Sequence, residues 1–152
     1  MVDLSRKCPR SFEGKITAEI PISDVVPSSD KPLGNPDRLV ELRDMYGEDG
    51  VKFIDDFAEV APDFGPLILD VNMAVLNRPG LPKRDRELVM IAALTTLGNA
   101  PRQLCAHIAS ALDLGVSTEE ITETMMQTAI YAGMPAGFNA LMELKRFLEE
   151  KL

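Results

Sequence analysis

The sequence predicts an all-α domain preceded by an extended N-terminal arm. Three observations carry that expectation. From residue 36 onward apolar side chains recur at helical spacing, and Gly and Pro break the pattern into helix-length pieces. The composition is rich in Ala, Leu and Met but holds no Trp, only two Tyr and six Phe, a mix that favours helices over sheets. A chain of 152 residues is long enough for one domain to bury a proper core without a metal or disulfide staple.

Residues 1–35 read as the arm. KITAEIPIS (15–23) sets Ile16, Ala18, Ile20 and Ile22 against Lys15, Thr17, Glu19 and Pro21, a period of two. Pro21 excludes a central strand, and VVPSSDKPLGNP is too rich in Pro, Gly and Ser for regular structure. The Ile row needs a surface to cover it, either on a neighbouring subunit or on the arm's own domain.

Residues 36–152 read as about six to seven helices. Asn35 caps the first, with Pro36 at its first position and Leu39, Val40, Leu42 and Met45 along it, up to Gly47. A short helix with Val51, Ile54, Phe57 and Ala58 follows. The next starts at Pro62, carries Leu67, Ile68, Val71, Ala74 and Val75, and breaks at Arg78-Pro79-Gly80. Arg84–Leu114 then supplies two helices joined by a short break. Ser117 to Glu120 fits a capping box, opening a helix with Ile121, Thr124, Met125, Thr128, Ala129 and Ala132 that stops at Gly133. Pro135 begins the last helix, with Ala140, Leu141, Leu144, Phe147 and Leu148 facing inward. The eight Met are spaced as core residues.

The net charge of −8 repels phosphate backbones and anionic lipids, which argues against nucleic-acid and membrane partners. MVDLSRKCPR lacks the apolar run of a signal peptide. Cys8 and Cys105 lie far apart and outside any CxxC spacing, which fits a cytoplasmic protein with reduced thiols. GxGxxG, Walker and HExxH patterns are missing, and with a single histidine a conventional zinc or iron site would have to rest almost entirely on carboxylates. A cofactor-free reaction is the expectation.

Two residues stand out as chemistry-bearing. At about 100° per residue, Met90, Ile91, Leu94 and Leu97 fall within roughly 80° of Glu87 on a helical wheel. Glu87 therefore sits inside an apolar face, where a carboxylate is costly unless hydrogen-bonded or protonated; such a setting makes a general acid or base, or else a structural ion pair with Arg84 or Arg86. His107, the single histidine, lies at the margin of the Leu104, Ile108, Ala111 and Leu112 arc of the following helix, with Gln103 four residues earlier on the same stripe. Cys105 points to the opposite side, which suits a buried filler better than a nucleophile; its place near a helix start keeps a reactive thiol open.

RPGLPKRDRELVMIAALTTLG, QLCAHIASALDLGVSTEEI and MMQTAIYAGMPAGFNAL together resemble the carboxymuconolactone decarboxylase family, which also contains alkylhydroperoxidase D. The resemblance covers about residues 61–149 and omits the arm. It implies an AhpD-like all-α fold, assembly into trimers or hexamers, and cofactor-free removal of carbon dioxide from a carboxylated lactone. It matches Glu87 and His107 to the family's glutamate and histidine. Ala100 and Gln103 fill the two positions of the peroxidase branch's CxxC pair, and one thiol cannot form that branch's intramolecular disulfide. Gln103, where the decarboxylases commonly carry an acid, hydrogen-bonds but cannot shuttle a proton.

The expectation is thus a decarboxylase-like lyase on a small organic acid. His107, Glu87 and Gln103 are its candidate catalytic residues, and Arg84, Arg86, Arg102 and Tyr131 its candidates for substrate binding. Two alternatives stay open: a thiol peroxidase using Cys105, and a non-catalytic organic-acid-binding oligomer.

Overall fold

The computed structural model describes residues 36–56 and 60–150. The predicted arm (1–35), with Asn35 and Cys8, lies outside the described residues, as do Phe57 and Ala58. Every regular element among the described residues is a helix: α1 (Pro36–Asp55), α2 (Phe64–Leu76), α3 (Lys83–Leu97), α4 (Pro101–Asp113), α5 (Thr118–Ala132) and α6 (Met134–Glu150). The all-α expectation holds. Gly47, at φ 65°, breaks α1 into the two helical pieces read from the sequence, since a positive φ is open to glycine at no steric cost. No described helix is long and apolar enough to cross a membrane.

Local signals set most boundaries. Ser117 accepts from the Glu120 N–H while the Glu120 side chain accepts from the Ser117 N–H, so the capping box forms as read. Gly98 closes α3 and Gly133 closes α5, and Pro101 opens α4.

The helices bury two apolar clusters. The larger joins α3 to α6 through Ile91, Leu104, Ile108, Ala111, Val116, Ile121, Met125, Ala140 and Leu144. The smaller joins α1 and α2 through Leu42, Ile54, Leu69, Met73 and Leu76. A fully buried side chain of this kind contributes roughly 1.5–3 kcal/mol. Arg38 on α1 donates to the Asp70 carbonyl of α2 at 2.6 Å and pairs with its carboxylate at 3.3 Å; Asn77 adds a bond to Glu41 at 2.7 Å. α3 spans both clusters: Leu88 and Leu94 pack on the larger and Met90 on the smaller. Glu87, on the same helix, therefore stands at the seam between them.

Two apolar stripes differ from the sequence reading. On α2 the buried line is Leu69, Met73 and Leu76, whereas Leu67, Val71 and Val75 face outward with Phe64. On α3 the line behind Glu87 continues through Ile91 to Thr95, and Leu97, at the last residue of the helix, is exposed.

Candidate active site

α3 starts after Pro82, whose extended backbone (φ −56°, ψ 148°) lets the chain turn into the helix. Glu87 falls one turn later on the inward line and is fully buried. α4 crosses α3 so that His107 and Ser110, three residues apart and hence on one face, both meet it. Nδ1 of His107 lies 2.8 Å from Glu87 Oε2, and the Ser110 hydroxyl donates to Oε1 at 3.0 Å. From α1, the Tyr46 hydroxyl donates to the same Oε1 at 3.3 Å. The Tyr46 ring stands edge-on to the imidazole, centroids 5.4 Å apart and planes at 88°.

This arrangement sets the tautomer. A carboxylate only accepts, so with two hydroxyls on one oxygen the other receives the His107 Nδ1–H. Nε2 is left as the nitrogen available for chemistry, on a side chain that is 20% exposed. The buried carboxylate is solvated by three protein donors in place of water, which is how a buried charge is tolerated. Burial first, then the Glu87 charge, pushes the Tyr46 phenol well above its usual range, so it remains a donor.

Sequence reasoning placed Glu87 and His107 near one space, and the structure puts them in contact. It missed Tyr46 and Ser110. Ser110 carries a readable signal, a hydroxyl three residues from the histidine; Tyr46 carries none, because it arrives from a helix 41 positions away.

The other candidates are placed as follows. Gln103 is half-buried on α4, one turn before His107. Arg102 pairs with Asp56 at 2.9 Å. Arg84 pairs with Asp85 and with Glu120 on α5, and Arg86 donates to the carbonyls of Leu81 and Arg78, tying down the turn before α3. Tyr131 is 90% exposed. Cys105 faces α6, where burial pushes its thiol up more than the hydrogen bond from Arg146 brings it down; that is the reverse of an activated thiol. A hollow of about 240 Å3 opens at the corner of α3, α4 and α6, with Thr95 and Leu104 in its wall, and shares no residue with the Glu87–His107 pair. Among the described residues no group of three His, Cys, Asp or Glu is placed to hold a metal.

The sequence profile of the carboxymuconolactone decarboxylase family matches residues 62–146, the segment that carries Glu87, Gln103, His107 and Ser110. The chain belongs to that family. It is 40% identical over 70 residues to a 4-carboxymuconolactone decarboxylase of Acinetobacter baylyi, covering 46% of this chain and 51% of that protein. It is 39% identical over 66 residues to an uncharacterized 15.0 kDa protein of Paracoccus denitrificans, covering 43% and 49%. The chain thus spans about half the length of the curated relatives it matches. Tyr46 lies outside the family segment.

Proposed function

We propose that this protein is a cofactor-independent lyase that decarboxylates a small carboxylated lactone or a related organic acid. The observation that carries the reading is the 2.8 Å contact between His107 Nδ1 and Glu87 Oε2, inside the segment shared with the decarboxylase family. In the reaction the bond from the ring carbon to the substrate carboxylate breaks and carbon dioxide leaves. The electron pair left behind delocalises onto the substrate carbonyl as a conjugated enolate. The imidazolium form of His107 delivers its Nε2 proton to a carbon of that enolate, and solvent returns the proton. Glu87 orients the ring and stabilises its positive charge through Nδ1–H.

Gln103, one turn from His107, holds the substrate carboxylate or carbonyl by hydrogen bonds, and Arg102 at the start of the same helix offsets substrate charge in a protein of net charge −8. Arg102, Arg84 and Arg86 first have to leave the protein partners they already hold; Tyr131, 90% exposed, can rotate onto a ligand. We also read the protein as a cytoplasmic homo-oligomer; the apolar stripe that α2 turns outward supports the self-association. The test is decarboxylation of 4-carboxymuconolactone. His107→Ala is expected to lower kcat at least about a hundredfold, as loss of a general acid does, and Glu87→Gln to follow it. Wild-type rates in both variants overturn the mechanism.

A further inference from the structure

Glu87 has two oxygens and three donors. Tyr46 and Ser110 both occupy Oε1, which fixes the rotation of the carboxylate and leaves Oε2 toward the ring. Tyr46 touches both partners at once, its hydroxyl on Glu87 and its ring on His107. It comes from α1, which lies before the family segment at 62–146.

Two glycines hold Tyr46 in place. Gly47, with φ 65°, breaks the helix directly after it. Across that break, a Cβ on Gly50 would sit 2.5 Å from the Tyr46 Cβ, closer than carbon atoms approach. The chain therefore folds back under Tyr46 with room for a hydrogen only. The contact is to the Cβ of residue 46, so a larger residue at position 50 would displace the whole Tyr46 side chain.

We propose that Tyr46 is a positioning residue of the Glu87–His107 pair: by filling Oε1 and stacking edge-on against the imidazole, it keeps Nδ1–H on Glu87 and Nε2 turned to substrate. Among the described residues, the titratable side chains that meet the ring are Glu87 from α3 and Tyr46 from α1. Without the phenol donor, Oε1 keeps only the Ser110 hydroxyl, and the carboxylate is freer to rotate away from the His107 Nδ1–H. The role rests on the lyase reading only for its effect on turnover.

The chain has one histidine, so nitrogen-15 NMR of histidine-labelled full-length protein reads His107 without assignment. In the wild type the neutral ring is expected as the Nδ1–H form. In Tyr46→Phe the Nδ1–H share of the neutral ring falls, because one of the two donors that fix the carboxylate is gone. Tyr46→Leu, which also removes the ring stack, reduces the Nδ1–H population. Gly50→Ala, which leaves the phenol intact but displaces it, behaves like Tyr46→Phe. kcat falls about tenfold with KM little changed, because one hydrogen bond to a charged group is lost. Superimposable tautomer populations in the wild type, Tyr46→Phe and Tyr46→Leu overturn the proposal, and so does a lowered Tm without any change at His107. If the wild type does not turn over the lactone while the tautomer population still shifts, the lyase reading falls and the positioning role stands.

Discussion

At the residue scale, the site rests on three donors that replace water around one buried carboxylate. Tyr46 links that arrangement to alkaline stability. Burial and the Glu87 charge hold its folded-state phenol above the ordinary value of 10.0, so folding holds the proton more tightly than the unfolded chain does. The resulting stabilisation is complete below about pH 10 and is lost as pH rises through the folded value. Urea unfolding at pH 9 and pH 11.5 is expected to show a steeper loss in the wild type than in Tyr46→Phe; parallel losses refute the linkage. Thr95 shows the opposite situation. It is 1% exposed, and among the described residues its hydroxyl has no partner. A buried hydroxyl left unpaired costs about 1–3 kcal/mol, and Val has the same shape without it. Thr95→Val is therefore expected to stabilise the fold by about 1 kcal/mol, read as a higher urea midpoint at constant m value.

At the element scale, α5 depends on its capping box. Ser117 and Glu120 satisfy two of the orphan donors at the helix start, and removing a Ser cap costs about 1 kcal/mol. Ser117→Ala is expected to lower the Tm accordingly; an unchanged Tm refutes the role. The box was readable because its chemistry is local, a hydroxyl and a carboxylate three residues apart. The same holds for Gly98 and Gly133 as helix stops, and for Glu87, whose oddity lies in its own helix periodicity. Tyr46 was unreadable because its role exists only once α1 packs near α3 and α4, and no sequence spacing encodes that approach. The α2 stripe was ambiguous for another reason. FGPLILDVNMAVL is apolar almost all round, so periodicity alone does not choose which face turns inward. Arg38 of α1 settles it by binding Asp70, which draws the Leu69–Met73 side into the core.

At the scale of the whole molecule, that choice leaves apolar surface uncovered. Phe64, Leu67, Val71 and Val75 follow one another by three or four residues on the outer face of α2, each between 39% and 45% exposed. Met126, Ile130, Met134 and Phe138 form a second exposed group around the α5–α6 turn, each at least 50% exposed. Contiguous apolar patches of this kind mark association surfaces. The net charge of −8 per copy opposes self-association, and salt screens that repulsion over a Debye length of about 8–10 Å. A chain that assembles through these faces should therefore associate more tightly as salt rises, the reverse of an assembly held by opposite charges. Light scattering on size-separated protein is expected to give a mass above the 16.7 kDa of one chain, increasing or holding between low and moderate salt. The double substitution Leu67→Glu with Val71→Glu places two carboxylates on the α2 stripe without touching either core cluster. It should shift the protein to single chains while the helical circular dichroism stays the same. A wild type that runs as single chains at every salt concentration, or a double variant that assembles unchanged, removes α2 as the subunit interface.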